Sequence, residues 1–193
     1  MNDPAQNLRA LSCADDYDPN SMPVAKAREV IARFLAPVAM TERLGVRAAL
    51  GRVLAEDIVS PLDVPAHDNS AMDGYAVRFT DLKDDRDVTL KVAGSAFAGA
   101  PFQGAVKAGE CVHIMTGGVV PSGADTIVMQ EHVKSAGATV TIGPGHRKGQ
   151  NLRRAGEDLA AGQVALKRGI TLRPAETGLI SSLGIGEVTV YRK

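Results

Sequence analysis

The amino-acid sequence predicts a mainly β fold with flanking helices, an α+β arrangement. Short strand-length apolar runs alternate with loops rich in glycine and proline, of which the chain holds 20 and 10. Helix-spaced apolar residues occur near the two ends. Trp is absent and aromatics make up only 4% of residues, so the core must rest on Val, Leu, Ile and Ala. A length of 193 residues suits one sizeable domain or two small ones. The central strands are expected to form one β unit, and the helical ends to pack on each other as a second, discontinuous one.

In order, residues 1–20 include Asp15, Asp16 and Asp18, show little apolar periodicity, and read as a disordered tail. Ser21 and Pro23 suit the cap and first turn of a helix. Val24, Ala27, Ile31, Phe34 and Leu35 give that helix an apolar stripe, read as core, with Glu29 and Arg33 four apart on the other face. Pro37 ends it. Thr41 to Leu50 reads as extended, and Leu50 to Asp57 as one or two helical turns. Tyr75 to Phe79 alternates as a strand, and the charged run Lys83 to Asp87 reads as a solvated hairpin tip. Val88, Leu90 and Val92 make a half-buried strand, followed by a small-residue loop from Ala93 to Pro101. Cys111 to Met115, Thr126 to Glu131, Ala138 to Ile142 and Val164 to Lys167 are further strands. Arg173 to Leu183 is a helix with Pro174 in its first turn and Gly184 beyond its end. Glu187 to Tyr191 is a last strand, which either closes a sheet edge or precedes further chain.

Several function classes are excluded. Basic and acidic residues balance at 22 each, so no basic footprint for nucleic acid is expected. Cys13 and Cys111 sit in unlike settings and read as free thiols, with no disulfide framework or metal spacing. No apolar run approaches the roughly 18 to 20 residues of a membrane span, and the N-terminus has no secretory pattern. A cytoplasmic protein without membrane partners is expected.

Three loops carry unusual chemistry. In the first, Pro61 to Val77, Pro61 and Pro65 exclude a helix, Asp68-Asn69-Ser70 shape a turn, and Asp73-Gly74 favours a bend. It presents Asp63, Asp68 and Asp73. The second offers the backbone N–H groups of Thr116, Gly117 and Gly118 as an anion nest. The third, Gly143 to Asp158, places Arg147, Lys148, Arg153 and Arg154 beside Glu157 and Asp158. Carboxylates suit Mg²⁺, and Arg and Lys suit phosphate. Together the loops fit a phosphorylated ligand with a divalent ion. The same residues also fit plain surface turns and a solvated basic face. No Lys-Ser/Thr follows the glycines, so there is no Walker loop. His67, His113, His132 and His146 lack zinc spacing, and no nucleophile elbow or catalytic triad is present.

Pro61-Leu62-Asp63-Val64-Pro65, then Asp68 to Val77, resembles the signature of the MoeA / gephyrin E-domain family of molybdopterin molybdenumtransferases. Ile114 to Gly117, Val128 to Glu131, Gly149 to Arg153 with Gly156 to Asp158, and Ser182 to Ile185 resemble further family blocks in the same order. The resemblance implies a β-rich domain inserted in an elongated discontinuous domain. Residues 61–151 would form the β-rich domain, residues 21–60 and 152–185 the elongated dimerisation domain, and residues 186–193 the start of a missing third domain. It implies transfer of molybdenum from molybdate to adenylated molybdopterin, in molybdenum cofactor biosynthesis, with Mg²⁺. It marks Asp73, Thr116 and Asp158 as catalytic, Asn69, Ser70, Glu131, Arg153 and Glu157 as substrate-binding, and Asp73 and Asp158 as Mg²⁺ ligands. The implied partners are a second copy of the chain, its own missing C-terminal domains and the molybdopterin adenylyltransferase. A chain ending at Lys193 would hold at most half of such a site and be inactive alone. The competing expectation is a non-catalytic dimerisation or interaction module.

Overall fold

The structure, a computed structural model, describes residues 23–193. The expected tail over residues 1–20, Cys13 and the Ser21 cap lie outside the described residues. The chain divides into two units, Met1–Thr41 with Arg192 and Glu42–Tyr191 with Lys193.

The first unit contains helix α1 (Val24–Phe34). Pro23 precedes it in an extended conformation, and the Ala27 N–H donates to the Pro23 carbonyl at 3.0 Å. Glu29 pairs with Lys26 and Arg33 along the exposed face. The expected core stripe is not met among the described residues. No residue of α1 is buried, and Val24 and Ile31 are 70% and 56% exposed. Helical spacing shows that a face is apolar, not what covers it.

The strands in chain order are β1 (Thr41–Gly45), β2 (Ile58–Val59), β3 (Asn69–Ser70), β4 (Gly74–Val77), β5 (Val88–Ala96), β6 (Glu110–Ile114), β7 (Thr126–Met129), β8 (Val133–Ala136), β9 (Thr139–Ile142), β10 (Leu152–Arg153), β11 (Val164–Leu166) and β12 (Glu187–Tyr191). A six-stranded sheet runs in the order β7-β4-β6-β5-β9-β8. Its neighbours are antiparallel except β5 and β6, which run parallel past a register shift between Val92 and Gly94. Strand β4 therefore has no contact in the ladder with β5. Lys83 to Asp87 is a connection between separated strands, not the expected hairpin tip.

All four residues of β4 are buried. Tyr75 and Val77 pack on one face with Leu90, Cys111, Val128, Val140 and Ile142. Ala76 packs on the other with Ala96, Val106, Val112, Ile114 and Ile127. A strand covered on both faces has no solvent side, which corrects the expected in-out alternation. Strand β5 continues through Ala93 to Ala96, which had been expected to be loop. A Cβ on Gly94 would lie 2.7 Å from Cε2 of Phe102, so the ring occupies the space that a side chain would need.

A third core joins Val46, Ala49, Leu54, Ile58, Leu172, Ile180, Leu183, Val188 and Val190. Helix α2 (Pro174–Ser182) contributes Ile180, and Arg173 closes its first turn with Glu176. Leu50 to Asp57 is not helical. Val53 bridges Thr171 and the fully buried Leu54 bridges Val190, so long-range pairing overrides the local pattern. Strands β1 and β12, β2 and β11, and β3 and β10 form small two-stranded sheets. Among the described residues, no helix is long and apolar enough to cross a membrane.

Two glycines give opposite expectations. A Cβ on Gly74 would lie 2.0 Å from the Val128 carbonyl oxygen, inside the β4–β7 strand pair. Gly74→Ala should lower the denaturant midpoint by the equivalent of about 1–3 kcal/mol. Gly178 lies within α2 with nothing within 4 Å of its missing Cβ. Gly178→Ala should raise the midpoint by the equivalent of about 0.5–1 kcal/mol, because helical glycine is entropically costly.

Candidate functional site

The first loop lies between the other two and is held by backbone. The Ser70 N–H donates to the Gly118 carbonyl at 3.0 Å, and the Gly117 N–H donates to the Ser70 carbonyl at 2.9 Å. On its other edge, β3 pairs with β10, setting Ser70 against Leu152 and Asn69 against Arg153. The Ala71 N–H donates to the Asn151 carbonyl at 2.9 Å. Ser70 is buried, and its hydroxyl donates to the Met72 carbonyl, which tightens the turn leading to Asp73.

Asp73 meets the second loop at one residue. Its Oδ1 accepts the Thr116 backbone N–H and the Thr116 hydroxyl, each at 2.7 Å. The Gln130 N–H donates to the Asp73 carbonyl at 3.1 Å, which places exposed Glu131 one residue further on. The Thr116 hydroxyl and amide hold the Asp73 carboxyl below the ordinary carboxylate range, aided by the nearby His113. His113 stacks at a tilt against Tyr75, with centroids 5.2 Å apart.

The second loop is not an anion nest. Its Thr116 N–H is taken by Asp73, its Gly117 N–H by Ser70, and its Gly118 N–H by the Met115 carbonyl at 2.8 Å. A nest requires free N–H groups, and glycine content does not reveal that these three are already bonded.

In the third loop, Arg153 Nε donates to Glu157 Oε1 and its Nη2 to Asp158 Oδ2, both at 2.6 Å. The Arg154 N–H donates to Glu157 Oε2 at 2.8 Å. Glu157 is lowered first by that N–H and then by Arg153, while the two acids raise the Arg153 value. Arg153 is thus neutralised within its own loop. Arg154 Nη1 reaches across to Asp68 Oδ2 at 2.6 Å, and the Ala155 N–H donates to Asp68 Oδ1 at 2.9 Å. That N–H, followed by Arg154, lowers the Asp68 carboxyl. Asp63 Oδ1 accepts the Ala161 N–H at 2.8 Å.

The fold therefore brings Asp73 and Thr116 together directly, with Ser70 bonded to the adjacent Gly117 and Gly118, and brings Arg153, Glu157 and Asp158 together directly. Backbone pairing, not a side-chain bond, links the two groups. The Asp68–Arg154 contact was absent from the sequence expectations. Its partners are 86 residues apart, and neither spacing nor periodicity carries that signal. Among the described residues, no group of three or more His, Cys, Asp and Glu is placed to hold a metal ion. Asp158 has one oxygen on Arg153, and Asp73 has one on Thr116. The residues present do not form a self-contained Mg²⁺ site.

Comparison with known proteins adds a family to this geometry. Residues 22–184 match the model of the MoeA N-terminal region (domain I and II). A molybdopterin molybdenumtransferase of Haemophilus influenzae is 47% identical over 154 residues, which cover 79% of this chain and 38% of that protein. One from Synechococcus elongatus is 38% identical over 156 residues, covering 79% and 39%. The crystal structure of a molybdopterin biosynthesis moeA protein from Pyrococcus horikoshii superposes with a TM-score of 0.83 at 35% identity. That match covers 89% of this chain and 46% of the other. The chain spans less than half the length of the relatives it matches.

The lowered carboxyls make the loops sensitive to acid below the ordinary carboxylate range. The Asp73 value lies below its ordinary 3.8. Its stabilising contribution is complete above that ordinary value and is lost as pH falls through the lowered one. The amide proton of Thr116, followed by NMR, should titrate with a midpoint below 3.8 and lose that titration in Asp73→Asn.

Proposed function

The chain belongs to the MoeA N-terminal region family, and from that premise we propose that it supplies one side of the active cleft of a molybdenum insertase. The reaction transfers molybdenum from molybdate to adenylated molybdopterin and releases AMP. The relatives named molybdopterin molybdenumtransferase support the reaction class. The observation that carries the residue assignment is the Asp73–Thr116 pair, held on a backbone-locked loop with one carboxylate oxygen outside the Thr116 bonds.

In this reading, Thr116 orients the Asp73 carboxylate and keeps it ionised, and its second oxygen accepts an O–H or N–H of the ligand. Asp158 and Glu157 hold Arg153, so Arg153 shapes the loop rather than offering net charge to an anion. Ser70 sets the loop register, while Asn69 and exposed Glu131 border the same segment. Mg²⁺ commonly takes one or two carboxylates with substrate phosphates. Among the described residues there is no closed set of ligands for it. The reading carries with it a cytoplasmic homodimer, completed by the domains that relatives carry beyond the matched part, and handover from the molybdopterin adenylyltransferase.

The exposed apolar stripe of α1 favours a second reading, in which the chain acts as a non-catalytic dimerisation module. Activity separates the two. The purified chain given molybdate and adenylated molybdopterin should release no AMP by itself. Mixed with the unmatched part of the Haemophilus influenzae relative, it should release AMP, and Asp73→Asn should cut that rate by about a hundredfold or more without altering the thermal midpoint substantially. A mixture that stays fully active with Asp73→Asn contradicts the catalytic assignment and supports the module.

A further inference from the structure

A pocket of about 370 Å³ lies between the start of the third loop and the segment after β7, and it is not used by the Asp73–Thr116 pair. Met129, His132, His146, Arg147, Gln150 and Asn151 line it, with the turn Gly143 to Gly145. Its lining holds one guanidinium, two imidazoles and no carboxylate. Asp87 flanks the turn, with Oδ1 3.6 Å from where a Gly143 Cβ would lie. Lys148, next to Arg147, is engaged by Asp125 at 3.7 Å. Arg147 is exposed, and only its backbone is bonded within the loop.

Backbone groups fix the donor pattern in this pocket. Gln150 Oε1 accepts the Arg147 N–H at 3.0 Å, and Gln150 Nε2 donates to the Ile127 carbonyl at 3.3 Å. A backbone N–H can only donate and a carbonyl can only accept, so the amide has one orientation. Its Nε2 then faces His146 Nδ1 at 2.8 Å as a donor. Neutral His146 must accept there and carry its proton on Nε2. Burial, and then the neighbouring His132, hold His146 below the usual histidine range. The ring is therefore a fixed N–H donor even without a charge.

The pocket is anchored to rigid structure. The Ile127 N–H donates to the Gln150 carbonyl at 3.1 Å, and Asn151 Nδ2 donates to the Ile127 carbonyl at 3.1 Å. Asn151 adopts a positive φ of 55°, a conformation its short polar side chain tolerates. These bonds hold the loop against the edge of β7. A set of oriented N–H donors with a guanidinium and no lining carboxylate recognises an anion.

We infer that the pocket formed by His132, His146, Arg147 and Gln150 binds a small tetrahedral oxyanion of the phosphate type. This stands on the pocket alone and not on the molybdenum reading, so either can fail without the other. The test is a titration of the chain with inorganic phosphate, matched in ionic strength by sodium chloride. Imidazole resonances of His132 and His146 are followed by ¹⁵N NMR, and heat by calorimetry. The expected result is a saturable shift that chloride does not reproduce. Arg147→Ala and His146→Gln should each weaken binding about tenfold, while Arg86→Ala, at an exposed bend of another loop, should leave it unchanged. Arg147→Ala decides the matter should His146→Gln fail to fold, because among the described residues only the Arg147 backbone is bonded within the loop. A linear shift, one equalled by chloride, or undiminished binding in Arg147→Ala overturns the inference.

Discussion

The loops depend on one residue's backbone. Ser70 gives its N–H to Gly118, takes the N–H of Gly117, and pairs across β3–β10 with Leu152. Three segments far apart in sequence are thereby fixed at a single buried position. The side-chain contacts are built on this frame. Asp73 can reach Thr116 because Ser70 sets the register, and Arg154 can reach Asp68 because Arg153 lies opposite Asn69. A buried serine spends its hydroxyl on the local turn, which leaves no orphaned polar group.

The frame itself rests on the sheet beneath it. Strand β4 leaves the first loop and enters the six-stranded sheet between β7 and β6, where Gly74 lies too close to Val128 for any side chain. Strand β6 ends where the second loop begins, and the edge of β7 receives the third. The loop ends therefore inherit the rigidity of close-packed strands. Their charges are placed to balance locally. Arg153 answers two acids and Arg154 answers Asp68, which leaves Asp73 as an acid held by neutral donors. An acid held by neutral donors retains its charge for a ligand, whereas a paired acid mainly shapes its loop.

Much of this was legible from the sequence where one residue type forces one outcome. The strands expected at 111–115 and 126–131, found at Glu110–Ile114 and Thr126–Met129 with Gln130–His132 turning instead, and the helix after Arg173 follow from period and from proline position. The three loops stand out by their carboxylates and glycines, and the family resemblance matches the family found. What failed was everything set by distant partners. Leu50 to Asp57 has a helical pattern, but Leu54 pairs with Val190. Val133 to Ala136 escaped for a different, local reason: it is mostly exposed and lacks an apolar pattern, yet it pairs with β9 across a tight turn. The Thr-Gly-Gly segment could be read as a nest because its chemistry is visible, but the occupants of its N–H groups are not. The α1 stripe shows an apolar face, but no periodicity reveals whether that face is covered.

The central claim is that the three loops behave as one unit locked through Ser70. Native-state hydrogen exchange at the amides of Ser70, Ala71, Gly117 and Ala155 tests it most directly. Each of these amides donates to a partner in another loop. The account predicts that they open together, with one shared free energy close to that of the amides joining β4 to β6. Separate and much faster exchange at Gly117 or Ala155, with β4 still protected, would contradict it.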